Sequence, residues 1–538
     1  MPNNLLDFKH PAVNEFDGDM NGLGMSDRLH VSNEPCPSVS ELLQLAVVLN
    51  VSVRLVTVWQ EEVLVGCAVC YVEKHAVTGL VSFRMVGDRL HDYARLFVQS
   101  EQSAVVLIKE MILDAKKCGA DVFSLNGLIF PNEDVFFRRL NAVSSFTMIF
   151  DANKEAKGWN ALIGKKSLRR HWNKAKTIPG FRVEHRVGVV TQEDIAKISG
   201  MHRERWHFEG LTSAFDDQNR AREYLVHPSN KLITYVYVAD EIFCCHFGML
   251  YGKVLLWHTP VINIKYLDLS PLEVLLMATA QFCSDSSLEV LDLGQGKEKY
   301  KKRFSNAQRK VFTIITPLSF KAIFSCTLER AVFVLRNSDS FLPVKTRLAD
   351  TKKFLVNFRA GVRAMKATVI WFGSDRMGSL VALPDGVSFL KIRSYPEYID
   401  FCRNYSLTPL KVHYQRYGDG ACFFALRDDT QVYSFGWSIK STEFYVGEIR
   451  RSLPLDGRIM LFDFQTQVQH SGKGYYTMLL HCIRYAFGND KLAIFALSSN
   501  LASLKAIRRS GFDEMKSVCH EGRVSQLISL ITQNYCRQ

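Results

Sequence analysis

"HSGKGYYTMLLHCIRYAF", residues 470–487, sets two glycines around a lysine, just after the apolar stretch "RIMLFDF" (458–464) and just before a run with helical periodicity. Met478, Leu479, Cys482, Ile483 and Ala486 fall on one helical face, which predicts a helix packed on a sheet. A strand that enters a Gly-Lys-Gly turn and then a helix leaves backbone N–H groups unpaired where the helix dipole favours negative charge. Gly472 and Gly474 carry no Cβ, so a phosphate can come close to that backbone. The spacing matches neither Gly-x4-Gly-Lys-Ser/Thr nor Gly-x-Gly-x-x-Gly. The expectation is an anion site on a strand–turn–helix unit. Next come a strand, "LAIFALSS" (492–499), Asn500 at a helix start, Ser503 one turn in, and Gly511-Phe512 at the helix end.

This order, with its "NxxSxxxxxxxGF" close, resembles the GNAT acyltransferase superfamily, whose members bind acetyl-CoA or another acyl-CoA. The resemblance implies that the pyrophosphate sits on the N–H groups around Ser471, Gly472, Lys473 and Gly474. It implies that the pantetheine arm runs along Phe464 to Thr466, and that Asn500 and Ser503 face the cofactor. Two departures stand out. Matching the glycines to the usual "RGxGxG/A" puts Ser471 at the arginine and Tyr476 at the last small residue, while Gln469-x-x-Gly472-x-Gly474 is a second register. Ile507 occupies the place where many members carry a general-acid tyrosine. The acid–base candidates of this region are Asp463, Glu448 and Tyr476.

Upstream, "LDLGQGKEKYKKRF" (291–304) closes a strand on a second Gly-x-Gly turn, and His202 and Trp206 share a helix face in "MHRERW". With "KKSLRRHWNKAK" (165–176), Ser270-Pro271, and Asp92 and Tyr93 in "RLHDYARLFV", these stretches resemble the CelD-like acetyltransferases of polysaccharide biosynthesis. That family is related to the Fem peptidyltransferases and is built from two GNAT-like halves. Leu272 stands where glycine is usual. The resemblance covers residues 40 to 330 and implies a substrate pocket between the halves, near Asp292, Tyr300 and Lys301. An amine acceptor must lose a proton before it attacks a thioester, and Asp292 and His202 are the candidate bases.

At 538 residues the chain exceeds one core, since single cores stop growing near about 250–300 residues. The expected fold is α/β, with GNAT-like mixed sheets flanked by helices. A flexible tail (1–35) precedes a double-GNAT region (36–330), a helical connector (331–366) and a C-terminal GNAT acyl-CoA-binding domain (367–538). A formal charge of +13 suits an anionic partner without selecting one. The 13 cysteines are scattered, as in a protein with reduced thiols. Cys67 and Cys70 form a CxxC inside the strand-like "LVGCAVCYV", with no second ligand pair, so no metal is expected. No apolar stretch runs unbroken for the roughly 20 residues of a membrane span, which predicts a soluble, cytoplasmic protein.

The function these readings favour is transfer of an acetyl or other acyl group from acyl-CoA to an amine or hydroxyl, on a small molecule or glycan precursor. Two alternatives stay open. Lys165, Lys166, Arg169, Arg170, His171, Lys174 and Lys176 surround Trp172, a pattern that suits RNA or an aminoacyl-tRNA donor, against the plainer reading of a solvated helix face. Alternatively, one GNAT unit is a non-catalytic scaffold.

Overall fold

The computed structural model describes residues 6–8, 39–49, 51–60, 63–75, 78–87, 93, 96–129, 142–188, 190–216, 230–296, 298–327, 367–379, 381–449 and 451–519. The expected connector, most of the expected tail, and Asp92 lie outside them. The chain divides into two compact units, Met1–Trp206 with Leu211–Leu342, and His207–Gly210 with Pro343–Gln538.

The first unit contains strands β1 (Leu6–Phe8), β2 (Val53–Gln60), β3 (Val63–Lys74), β4 (Val81–Met85), β5 (Phe97–Val98), β6 (Val122–Ile129) and β7 (Val143–Asp151). It continues with β8 (Arg182–Gly188), β9 (Asn230–Val238), β10 (Glu241–Tyr251), β11 (Val254–Ile262), β12 (Val290–Gln295) and β13 (Ala307–Pro317). Its principal helices are α1 (Val39–Leu49), α2 (Glu101–Lys117), α3 (Lys166–Lys176), α4 (Gln192–Phe208), α5 (Pro271–Asp285) and α6 (Lys299–Phe304). α4 opens on a reciprocal cap: the Asp194 N–H donates to Thr191 Oγ1 (3.1 Å), and the Thr191 N–H donates to Asp194 Oδ2 (3.0 Å).

One sheet runs β1-β2-β3-β4-β6-β13-β7-β12-β11-β10-β9-β8, with β5 beside β3. It holds the same four-strand pattern twice. β2, β3 and β4 are antiparallel neighbours and β4 is parallel to β6; β9, β10 and β11 are antiparallel neighbours and β11 is parallel to β12. Each parallel pair needs a crossover, supplied by α2 and α5. The halves exchange their last strands. β7 pairs with β12, β13 pairs with β6, and β7 and β13 pair with each other. Neither half has a complete sheet without the other.

The second unit repeats the pattern once more. Its strands are β14 (Thr368–Ser374), β15 (Ser388–Ile392), β16 (Cys422–Arg427), β17 (Val432–Lys440), β18 (Glu443–Val446), β19 (Arg451–Pro454), β20 (Ile459–Thr466), β21 (Leu492–Leu497) and β22 (Asp513–Cys519). Its helices are α7 (Tyr395–Asn404), α8 (Lys411–Gly418), α9 (Tyr475–Phe487) and α10 (Leu501–Arg509). The main sheet runs β15-β16-β17-β20-β21-β14-β22, and α9 carries the parallel crossover from β20 to β21.

Leu479, Leu480 and Ile483 of α9 and Leu504 and Ile507 of α10 are buried with Phe372, Phe424 and Leu461 of the sheet. Ile507 is therefore a packing residue. The buried face of α9 differs from the expected one: Ala486 is exposed, while Leu480 and Arg484 are inside. Arg484 is tolerated there because its guanidinium donates to Ser374 Oγ (3.0 Å) and to the carbonyls of Ser510 (2.5 Å) and Arg376 (3.2 Å). Cys67 and Cys70 lie in different cores on opposite faces of β3, so they cannot share a ligand. Among the described residues no helix is long and apolar enough to cross a membrane.

Candidate functional site

In the second unit β20 and β21 pair only through Ile459↔Leu492, Met460↔Ala493 and Leu461↔Ile494, and then part. Just beyond, β20 carries a bulge in which Asp463 and Phe464 stand opposite a single residue of β17, Gly436. A Cβ on Gly436 would lie 2.3 Å from the Phe464 ring, and Asp463 has φ +53°, so the bulge aims Phe464 across the glycine. The chain then turns through Ser471 to Gly474, with Gly472 at φ +77° and Gly474 at φ +85° capping α9. The N–H groups of Gly474, Tyr475, Tyr476 and Thr477 meet no acceptor among the described residues.

These elements enclose a pocket of about 460 Å³ lined by Phe464, Thr466, His470, Tyr476, Ser503 and their neighbours. Ser471, Gly472 and Gly474 also line it, as do two cations not singled out from the sequence, Lys505 and Arg509. They sit one helical turn apart on α10, a face legible only once the helix is docked. No acidic residue lies in the first turn of α9 or among the lining residues.

Other candidates fall elsewhere. Lys473 is exposed outside the lining. Asn500 is also outside it, with its side-chain oxygen accepting the Ser503 N–H (3.2 Å) as the cap of α10. Glu448 is exposed in the turn between β18 and β19. Asp463 pairs with Arg416 of α8 at 2.7 Å. The Tyr476 ring lies 5.4 Å from that of Phe464, and burial raises its phenol well above the ordinary value, which keeps it protonated.

The residues present fit a phosphorylated, elongated cofactor: free N–H groups and two cations at one end, and parted strands at the other. A bound acyl-CoA would supply an activated acyl group. The chain's own part would be to hold the phosphates on α9, to align the arm along the open edge of β20, and to offer the protonated Tyr476 hydroxyl.

The first unit has a related centre. β11 and β12 pair in parallel through Val254↔Val290, Leu255↔Leu291 and Leu256↔Asp292, so Asp292 stands at the last pair before the strands part. A bulge again follows, with Trp257 and His258 opposite Gly248 of β10. Asp292 is fully buried, and its Oδ1 accepts from Tyr93 Oη (2.7 Å), Thr147 Oγ1 (2.8 Å) and the Gly294 N–H (2.9 Å). Among the described residues its Oδ2 has no hydrogen-bond partner. Burial pushes the carboxyl up, opposed by those three hydrogen bonds.

His202 is buried and pairs through Nδ1 with Ser213 Oγ (2.8 Å) while stacking on Trp206. Lys301 is buried and donates to the Gln295 carbonyl (2.5 Å), which ties α6 to the Gly294–Gly296 turn. Tyr300 packs partly buried against the core under α5. His258, half-buried in the bulge, was not singled out from the sequence, and neither was Gly248. Both bulge glycines follow phenylalanine inside an apolar strand, in "HFGM" and "SFGW", and an isolated strand glycine is the signal that marks such bends.

The start of α5 is unlike that of α9. Pro271 removes an N–H, and Glu273 puts a carboxylate in the first turn, 3.9 Å from Arg303. On α3, Trp172 is buried, perpendicular to Phe181 (5.1 Å) with Lys176 Nζ 5.2 Å over its ring, so it offers no open face for a base. The basic stretch is a charged helix surface.

Residues 164–302 match the family model described as an acetyltransferase (GNAT) domain. No curated protein matches the chain. Among solved structures, FemX is similar at 9% identity and TM-score 0.38, over 57% of this chain and 96% of its own. L-PGS from Bacillus licheniformis is similar at 10% and 0.37, over 57% and 100%. A tandem GNAT protein from the clavulanic acid biosynthesis pathway is similar at 11% and 0.37, over 59% and 99%. Across residues 164–302 this α/β chain is thus similar to acetyltransferase (GNAT) domains.

Proposed function

We propose that the protein is an acyl-CoA-dependent acyltransferase whose donor binds the second unit and whose acceptor is an amine or hydroxyl on a small molecule or glycan precursor. The observation that carries this reading is the set of unpaired N–H groups at the start of α9, facing Lys505 and Arg509 across a pocket where two parallel strands part. Gly472, Gly474 and Ser471 shape the turn, Phe464 and Thr466 line the arm, and Ser503 faces it. Tyr476, beside Phe464, is the candidate proton donor of that pocket. A cytoplasmic setting goes with this donor and with described cysteines that are all free thiols. A polysaccharide-precursor acceptor is supported by the CelD-like motifs.

The test is calorimetry of acetyl-CoA and a longer acyl-CoA on the full chain and on a Lys505→Glu/Arg509→Glu variant. Saturable binding by the wild type, at least about tenfold weaker in the variant, supports the reading. Equal binding by both moves the donor out of this pocket, and no binding brings forward an aminoacyl-tRNA donor or a scaffold role.

A second reading puts the chemistry in the first unit. It is favoured by the GNAT match over residues 164–302 and by the unpartnered Oδ2 of Asp292. There Asp292, held by Tyr93 and Thr147, is the proton acceptor, with His202, Tyr300 and Lys301 supporting the surrounding walls. Loss of turnover in Asp292→Asn with acyl-CoA affinity intact favours it; undiminished turnover removes it.

A further inference from the structure

We infer that the second unit recognises a cationic acceptor and that Arg416 is its tethered stand-in, held between Trp437, Phe462 and Asp463 until the acceptor displaces it. This inference rests on the donor pocket proposed above. The Arg416 guanidinium carbon lies 5.0 Å from the ring centroids of both Trp437 and Phe462, and Nη1 lies 2.7 Å from Asp463 Oδ2. Two aromatic rings and a carboxylate around one positive group make a site that binds cations as a class.

Three features separate this arrangement from an ordinary strap between helix and sheet. Nη1 touches the carboxylate as a charge and makes no directed hydrogen bond among the described residues. Asp463 carries the site's charge from a left-handed position inside a strand, φ +53°, which costs a non-glycine residue on the order of 1–2 kcal/mol. That conformation belongs to the bulge that also aims Phe464 across Gly436, so one backbone feature sets both the carboxylate and the pocket wall. α8 is in any case tied down by the Tyr398 hydroxyl on His413 Nδ1 (2.6 Å).

Position completes the case. Asp463 and Phe464 are the two residues of one bulge, and Phe464 lines the donor pocket. A cation on Asp463 is therefore one residue from the wall along which the donor's arm would lie. His413, stacked on Trp437, adds no competing charge: burial and then Arg416 hold it down to about 4, so it is neutral at physiological pH. Asp463 remains 58% exposed while the Arg416 side chain is 18% exposed, so an incoming cation can reach the carboxylate from solvent and then displace the arginine.

The test uses the full chain and three small probes of similar size, n-butylguanidinium, n-butylammonium and n-butanol. Binding is measured by calorimetry on wild type, Arg416→Ala, Arg416→Gln, and Arg416→Gln combined with Asp463→Asn. Both cations are expected to bind the single variants at least about tenfold more tightly than wild type, butanol to show no gain, and the double variant to lose the gain. Arg416→Gln keeps a polar side chain of similar reach if the alanine variant does not fold. A purely structural arginine would give a lowered unfolding temperature with no gain in cation affinity, or an equal gain for butanol, and either result overturns the inference. Acetyl-CoA titrated into the same samples reports on the donor pocket separately. Its failure to bind removes the donor reading and leaves the cation result to be judged on its own.

Discussion

A Cβ on Gly436 would stand 2.3 Å from Cδ1 and 2.4 Å from Cε1 of Phe464, so the aromatic wall of the proposed donor pocket exists because its neighbour strand has no side chain there. Gly436→Ala must push the ring aside. Overpacking of this kind costs about 1–3 kcal/mol, and the displaced ring should weaken acetyl-CoA binding about tenfold. Thermal unfolding and calorimetry check both effects, and adding Phe464→Leu should relieve the first. Unaltered affinity would mean that the ring is not part of the donor's wall.

Tyr476→Phe keeps the ring against Phe464 and removes only the hydroxyl. Acyl-CoA affinity should stay within about twofold, while kcat should fall by about 100-fold, the range for loss of a positioned proton donor. Equal kcat values would reduce Tyr476 to a wall of the pocket.

Tyr93→Phe removes one donor from a buried carboxyl and should cost the first unit about 1–3 kcal/mol. The Asp292 carboxyl is already raised, so it contributes stability below the unfolded aspartate value of about 3.9 and loses it as pH climbs through its higher folded value. Asp292→Asn should therefore gain on wild type as pH rises from 4 toward 8. Urea unfolding at several pH values reads this, and a constant difference would contradict the raised value.

His246 is wholly buried, stacks on Trp257 with ring centroids 4.3 Å apart, and among the described residues has neither ring nitrogen hydrogen-bonded. Burial holds it down to about 3. Its contribution is present above the unfolded histidine value of about 6.5 and is lost as pH falls from there toward 3. His246→Phe, which keeps the stack and carries no proton, should flatten the acid branch of the stability curve. An acid branch as steep as that of wild type would assign it to other groups.

Much of this molecule could be read without coordinates, and the boundary of what could be read is physical. The glycine turn, α9, the caps Asn500 and Thr191, and the strand "LDLGQG" depend on residues close together in the chain, so backbone sterics and periodicity determined them. The role of Ile507 changed from a missing tyrosine to a core residue, and Trp172 from a base-stacking surface to a buried ring, because burial is a property of the docked helix. Lys505 and Arg509 came to line the same pocket as Ser471, Gly472 and Gly474 only when α10 was laid beside α9. Asp292 was a candidate from its motif, but its partners Tyr93 and Thr147 come from 199 and 145 residues away. Arg416 and Asp463 were separately visible charges; their meeting over Trp437 required α8 to fold onto the sheet. The sequence by itself determined the local elements and the chemistry each could offer. Only the tertiary structure decided which side chains meet, because strand exchange between β7 and β13 and the two bulges opposite glycines are set by pairings between distant segments.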